Sequence, residues 1–155
     1  MKTKVRFLLI TLLFVLCSAS LFALEGMPGL SFGMSADDAV AQLKSLGFAR
    51  EMGEIGFLFS QAGSTIRLYF SPDEDELVSW LVVISMEDEN IDLFEEEIIE
   101  LLADLHGYEL DYDAEYRETW WKIDLYHFLN AGFDEGENNY LIFYGDIRYE
   151  DIIPY

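Results

Sequence analysis

Two periods of hydrophobicity run along residues 24–155, and the switches between them mark out the elements. In "SADDAVAQLKSLGF" the apolar positions Ala36, Val40, Leu43 and Leu46 fall on one helical stripe. Ser35 is a natural N-cap, and Asp38 three residues on completes an approximate capping box. Asp37 and Asp38 suit the positive end of a helix, and Gly47 suits the left-handed position after its last turn. A helix is predicted over Ala36–Leu46. A longer one follows in "NIDLFEEEIIELLADLHGYEL", where Phe94, Ile98, Leu101, Leu102 and Leu105 form the stripe. Glu95, Glu96, Glu97 and Glu100 are expected toward solvent. Asn90 or Asp92 caps the start, His106 sits at the negative end and Gly107 closes it.

Between and after the helices the period drops to two. "IGFLFSQAGSTIRLYF" reads as a hairpin around Gln61-Ala62-Gly63-Ser64, with Ile66, Leu68 and Phe70 on one face and Arg67 and Tyr69 on the other. "SPDEDE" is a charged turn, and "LVSWLVVIS", apolar on both faces, is a central strand. "ETWWKIDL" is a strand, "LYHFLNAGF" either continues it or makes one helical turn ended by Gly132, "FDEGENN" is a loop and "YLIFYGDI" a last strand. The expected fold is α+β: an antiparallel sheet of about five strands in the order α-βββ-α-ββ, with two helices packed on one face. The triplets around Gly47-Phe48, Gly107-Tyr108 and Gly132-Phe133 hint at a duplicated αββ unit, although helix C-capping alone produces such triplets. No Pro-, Gly- or Ser-rich linker divides residues 24–155, which are expected to form one domain.

The first residues obey neither period. Lys2, Lys4 and Arg6 precede an unbroken apolar run, Phe7 to Leu16, and small residues Cys17 to Ser20 lead to Leu21-Phe22-Ala23. This is the pattern of a secretory signal peptide over 1–23, cut after Ala23 or alternatively after Ser20. Phe7 to Leu24 carries no charge and reaches the lower limit of a bilayer span, so an uncleaved anchor is the rival reading. Lipidation at Cys17 is a weaker rival, because Leu16 occupies the place of a small residue. The expected location is outside the cytoplasm, in a periplasm or beyond the cell, with no stable membrane insertion after cleavage.

Cleavage changes the chemistry. The one cysteine leaves with the signal, so stability rests on an apolar core, for which 9 Tyr and the 12 Phe less Phe7, Phe14 and Phe22 supply material. The full chain carries a net charge of −21, and trimming removes three of its cations. Only Lys44, Arg50, Arg67, Arg117, Lys122 and Arg148 then remain positive. Phosphate neutralisation needs clustered Lys and Arg, which excludes nucleic acid and anionic lipid as expected partners. A basic partner or divalent cations are compatible with the charge, which also serves solubility.

Motifs for chemistry are sparse. Asp88, Asn90 and Asp92 match the start of a calcium loop, but the required Gly and Glu are replaced by Leu93 and Ile99. Asp111, Asp113 and Glu115 fail in the same way at Tyr116 and Lys122. Looser acidic runs stand at Asp73-Glu74-Asp75-Glu76 and Asp134-Glu135-Gly136-Glu137. His106 and His127 are too few for a transition-metal site without a thiolate, and His127 is read as a surface or packing residue. There is no G-x-S-x-G and no glycine-rich phosphate loop, and 30 acidic residues make any single carboxylate pair unspecific. No metal or cofactor is expected.

What remains is aromatic. Trp121, Ile123 and Leu125 are assigned to the helix side of their strand, which sends Trp120 and Lys122 to the other side. Arg67, Tyr69, Trp80, Tyr140 and Tyr144 are assigned to that same open face. Rings and cations together make an adhesive surface; the rival reading is that the C-terminal tail "RYEDIIPY" or a loop covers this face and the rings are ordinary core. The leading expectation is therefore an exported, non-catalytic domain that binds another protein or peptide there. An acidic inhibitor or immunity-type protein covering a basic enzyme cleft is the alternative, and a small carboxylate-dependent hydrolase the third.

Overall fold

The computed structural model describes residues 25–26, 29–51, 57–61, 63–73, 75–86, 91–108, 111–113 and 118–152. The expected signal peptide and the Asn90 cap lie outside them. A two-stranded pair, β1 (Glu25–Gly26) and β2 (Leu30–Ser31), comes first, followed by α1 (Ala36–Ser45). Then come β3 (Ala49–Glu51), β4 (Phe57–Gln61), β5 (Ser64–Phe70) and β6 (Leu77–Ser85). After α2 (Ile91–His106) run β7 (Asp111–Asp113), β8 (Glu118–Lys122), β9 (His127–Asp134) and β10 (Asn139–Asp146), closed by a 3-10 turn over Ile147–Ile152. The fold is α+β, and its main sheet is antiparallel throughout with eight strands in the order β3-β4-β5-β6-β10-β9-β8-β7.

The local grammar explains the well-marked elements. Ser35 caps α1 by accepting from the Asp38 N–H at 3.2 Å, and its hydroxyl donates to the Asp38 carboxylate at 2.8 Å. Gly47 and Gly107 end the two helices at φ +90° and +93°, a region costly for any residue with a Cβ. The acidic turn after β5 is closed by Ser71 N–H to Glu76 C=O at 2.8 Å, with Asp75 at φ +53°.

Where expectation and structure part, length and polarity are the reason. β3 and β7 have three residues each and carry Arg50, Glu51, Asp111 and Asp113, too short and too charged to show alternation. His127–Asp134 is a full strand separated from β8 by a turn, so the order is α-ββββ-α-ββββ. Leu125 stands in that turn and is exposed rather than facing the helices. Glu95, expected toward solvent, is buried.

The topology repeats. One register row crosses the sheet as Arg50–Phe59–Ile66–Val82 in the first four strands and continues as Ile142–Ala131–Thr119–Tyr112 in the last four. A twofold axis through the Val82/Ile142 pair exchanges the two halves of this row. The chain is thus two helix-plus-four-strand units joined edge to edge by β6 and β10.

One cluster holds the fold together. Ala39 and Leu43 of α1 and Phe94, Ile98 and Leu102 of α2 share it with Phe59, Ile66, Leu68, Trp80, Val82, Trp121, Leu129, Tyr140, Ile142 and Tyr144. Those sheet residues all belong to one alternation, so both helices cover the same face. Trp80 and Tyr144 stack at 4.5 Å and 11°, and Phe94 meets Tyr140 edge-on at 5.5 Å. The β1–β2 pair closes over the stack: a Cβ on Gly26 would lie 2.5 Å from a Tyr144 ring carbon and 2.6 Å from Trp80. Trp121 takes the helix side as expected and donates from Nε1 to the Gly107 carbonyl at 3.2 Å. Trp80, Tyr140 and Tyr144 do not reach the open face to which the sequence assigned them. All three are fully buried on the helix side, on the alternation opposite Ser79, Ser85 and Asn139, the sparse polar positions that lie with the other face of β6 and β10.

Trp80→Ala removes a fully buried ring and its stack with Tyr144. It is expected to cost about 3–5 kcal/mol, read as a lower midpoint in urea unfolding. A loss below 1 kcal/mol would show that the stack is peripheral.

Candidate functional site

The sheet face away from the core cluster is built from the alternate residues of the same strands. Its middle row runs Glu51–Leu58–Arg67–Leu81–Phe143–Asn130–Trp120–Asp111, and the next row runs Ala49–Ser60–Thr65–Val83–Leu141–Gly132–Glu118–Asp113. Leu81, Val83, Leu141, Phe143 and Phe128 are half-buried, and Trp120 is 37% exposed. Trp120 stacks on Phe128 at 5.7 Å and 28°, and Phe128 meets Phe143 at 5.7 Å. Three strands thus carry an aromatic ladder that runs into the aliphatic centre. Gly145 makes the ladder possible, since a Cβ there would sit 2.6 Å from the Phe128 ring.

Of the residues assigned to this face from sequence, Arg67, Tyr69, Trp120 and Lys122 lie on it. Arg67 and Lys122 are exposed on β5 and β8, on opposite sides of the apolar centre. Tyr69 belongs to the face by register but is only 7% exposed, so little of its ring is offered to a partner. Phe128, Phe143, Leu81, Val83 and Leu141 were missed. The visible signal was the doubly apolar composition of "LVSWLVVIS" and "YLIFYG", which demands a cover for both faces without saying which residue takes which.

At one end of the sheet lies a hollow of about 470 Å³, to which this face contributes Ser60, Thr65, Val83, Ser85 and Asn139 and the helix-side alternation Gln61 and Ser64. Its polar lining is Ser60, Gln61, Ser64, Thr65, Ser85 and Asn139, its apolar wall is Val83 and its turn is Gly63. Gly63 has φ +88° with no atom within 4 Å of where a Cβ would stand, which keeps the rim open.

One compact titratable cluster lies on the other side of the sheet. His127 is buried between two carboxylates, with Nδ1 2.7 Å from Asp124 and Nε2 3.3 Å from Asp146. The Phe32 ring stacks on it at 4.0 Å. Asp124 also accepts from the N–H groups of Tyr126 and His127 at 2.8 and 2.9 Å. Burial pushes the Asp124 carboxyl up, but hydrogen bonds from the His127 side chain and these N–H groups hold it below its ordinary value. Asp146 follows the same pattern: burial raises it, while the Arg148 guanidinium and N–H lower it and win. The ring nitrogens of His127 tie the β8–β9 turn to the end of β10, and the Phe32 stack lays the N-terminal segment against them. Among the described residues no group of three or more His, Cys, Asp or Glu is arranged to hold a metal ion, and no helix is long and apolar enough to cross a membrane.

His106 sets the acid response. Desolvation by burial lowers it to about 4, and its Nε2 lies 3.1 Å from the Tyr144 hydroxyl. As pH falls from 6.5 toward 4 the unfolded chain takes up this proton before the folded one, so stability drops in that window. The expected loss is on the order of 1–2 kcal/mol, allowing for the ring's partial exposure, and His106→Gln should flatten it in urea titrations at stepped pH. The depressed Asp124 and Asp146 act in a lower window, below the ordinary carboxylate value, where their protonation removes a second increment. An unchanged slope in His106→Gln would assign the upper window to another group.

Compared with known proteins, the chain matches no family model, and no curated protein or solved structure is significantly similar to it.

Proposed function

We propose that the chain is an exported, non-catalytic domain that binds another protein or peptide on the sheet face opposite its helices. The observation that carries this reading is the ladder Trp120–Phe128–Phe143 leading into Leu81, Leu141 and Val83. Large contiguous apolar area left in water is a mark of an interaction surface, and each Å² covered contributes about 25 cal/mol. Arg67 and Lys122 flank the strip on a chain with 9 Lys and Arg against 30 Asp and Glu. Four strand spacings separate β5 from β8, about 19 Å, so the two cations frame an apolar contact and anchor carboxyl groups at its ends.

Pairing by the sheet edges is disfavoured. β3 and β7 are three residues long and charged, the usual protection against added strands. The export component rests on the N-terminal pattern of cations, apolar run and small residues.

A second reading is favoured by the net charge of −21: an acidic inhibitor that covers a basic enzyme cleft. It requires association that slows steeply with added salt, whereas docking on the ladder is nearly indifferent to salt.

Capture from the source's envelope fraction, compared between wild type, Trp120→Ala and Asp37→Asn, tests the proposal. Trp120→Ala should weaken capture at least tenfold while changing the unfolding free energy by less than about 1 kcal/mol, and Asp37→Asn on α1 should change neither. Capture that survives Trp120→Ala, or a melting temperature that collapses with it, would reject the ladder as the docking element.

A further inference from the structure

We infer that the hollow beside Val83 is the specificity pocket of this face and that its occupant is the uncharged polar end of a bound peptide whose apolar side chains cover the strip. This rests on the docking reading above. The hollow's volume, about 470 Å³, falls within the ordinary range for ligand pockets. Its lining is the informative part. A quarter of the chain's residues are charged, yet the lining offers only hydroxyls, carboxamides, a glycine and a valine.

Hydroxyl and carboxamide groups both donate and accept hydrogen bonds. They match main-chain peptide groups and the side chains of Ser, Thr, Asn and Gln. A carboxylate placed there would find no cation in the lining, and an ammonium no carboxylate, so each would give up water without a charged partner. Such a site selects by rejecting charged occupants rather than by pairing with them.

Continuity decides for a peptide rather than a free small molecule. Val83 is the wall of the hollow and also stands between Thr65 and Leu141 in one register row of the face. Asn139 of the lining lies two residues before Leu141 on the same face of β10. A chain lying on Leu141 and Leu81 therefore enters the hollow without leaving the sheet, and the open rim at Gly63 admits it.

The test is selection of a phage-displayed library of random twelve-residue peptides on the folded full-length protein. Each selected peptide is then measured against Ser85→Lys, Thr65→Glu, Ser85→Thr and Phe143→Ala, with melting curves for all. The expected result is selected peptides that join apolar residues to a Ser, Thr, Asn or Gln end. Their affinity should fall at least tenfold on Ser85→Lys and Thr65→Glu, hold on Ser85→Thr, and fall on Phe143→Ala. Peptides that lose affinity on Phe143→Ala but not on either charged hollow variant would overturn the pocket while leaving the docking face standing. Selection of no peptide, or of peptides indifferent to Phe143→Ala, would overturn both.

Discussion

The pairing of β6 with β10 is the constraint on which the molecule depends. It joins the two four-strand units, and its seven matched positions from Ser79/Gly145 to Ser85/Asn139 fix the register of everything outside it. Both strands are apolar on both faces, so the pair cannot be satisfied by one cover. The helices and the β1–β2 segment bury Trp80, Val82, Tyr140, Ile142 and Tyr144 on one side. On the other, Leu81, Val83, Leu141 and Phe143 remain half-open. A one-residue slip would exchange these two sets, setting the Trp80–Tyr144 stack in water. The aromatic core therefore holds the half-open apolar strip in place, although the two share no side chain.

Charge limits what can use that strip. At −21 the molecule repels acidic surfaces at range, and its short charged edge strands discourage sheet extension. Apolar contact in the middle of a face with Arg67 and Lys122 at its flanks is the mode of association these restrictions leave favourable. The rows of the face end in the carboxylates Glu51, Asp111 and Asp113, while His106, Asp124 and Asp146, whose titration is displaced, are tied into the helix side or the end of β10.

The helices were legible because capping and a 3.6-residue period reinforce each other: Ser35, Gly47 and Gly107 behave as their positions suggest. The α+β class and antiparallel order followed from tight loops. The number of strands did not, since β3 and β7 are held by their neighbours' hydrogen bonds and show no hydrophobic pattern. The face was half legible. In β5 and β8 the polar residues Arg67 and Lys122 reveal the phase of alternation, and the strands carry Trp120 and Trp121 to the expected sides. In β6 and β10 the marks conflict: Ser79, Ser85 and Asn139 share the open-face alternation while Asp146 stands on the other, and Trp80, Tyr140 and Tyr144 were placed on the wrong side.

The twofold relation gives the face its meaning. The axis through Val82 and Ile142 carries Val83 onto Phe143, Thr65 onto Asn130 and Ser60 onto Trp120, as the register rows require. Two of these positions, Val83/Phe143 and Ser60/Trp120, thus hold a small side chain in the first unit and a large aromatic one in the second. Where the second unit fills its half with Trp120 and Phe143, the first leaves the hollow lined by Ser60 and Thr65. A face with two equal halves would bind a partner in either direction. Replacing one aromatic half by a neutral cavity breaks that equivalence, so the peptide we propose as occupant would have a single favourable orientation, its apolar part toward β8 and its uncharged end toward β5.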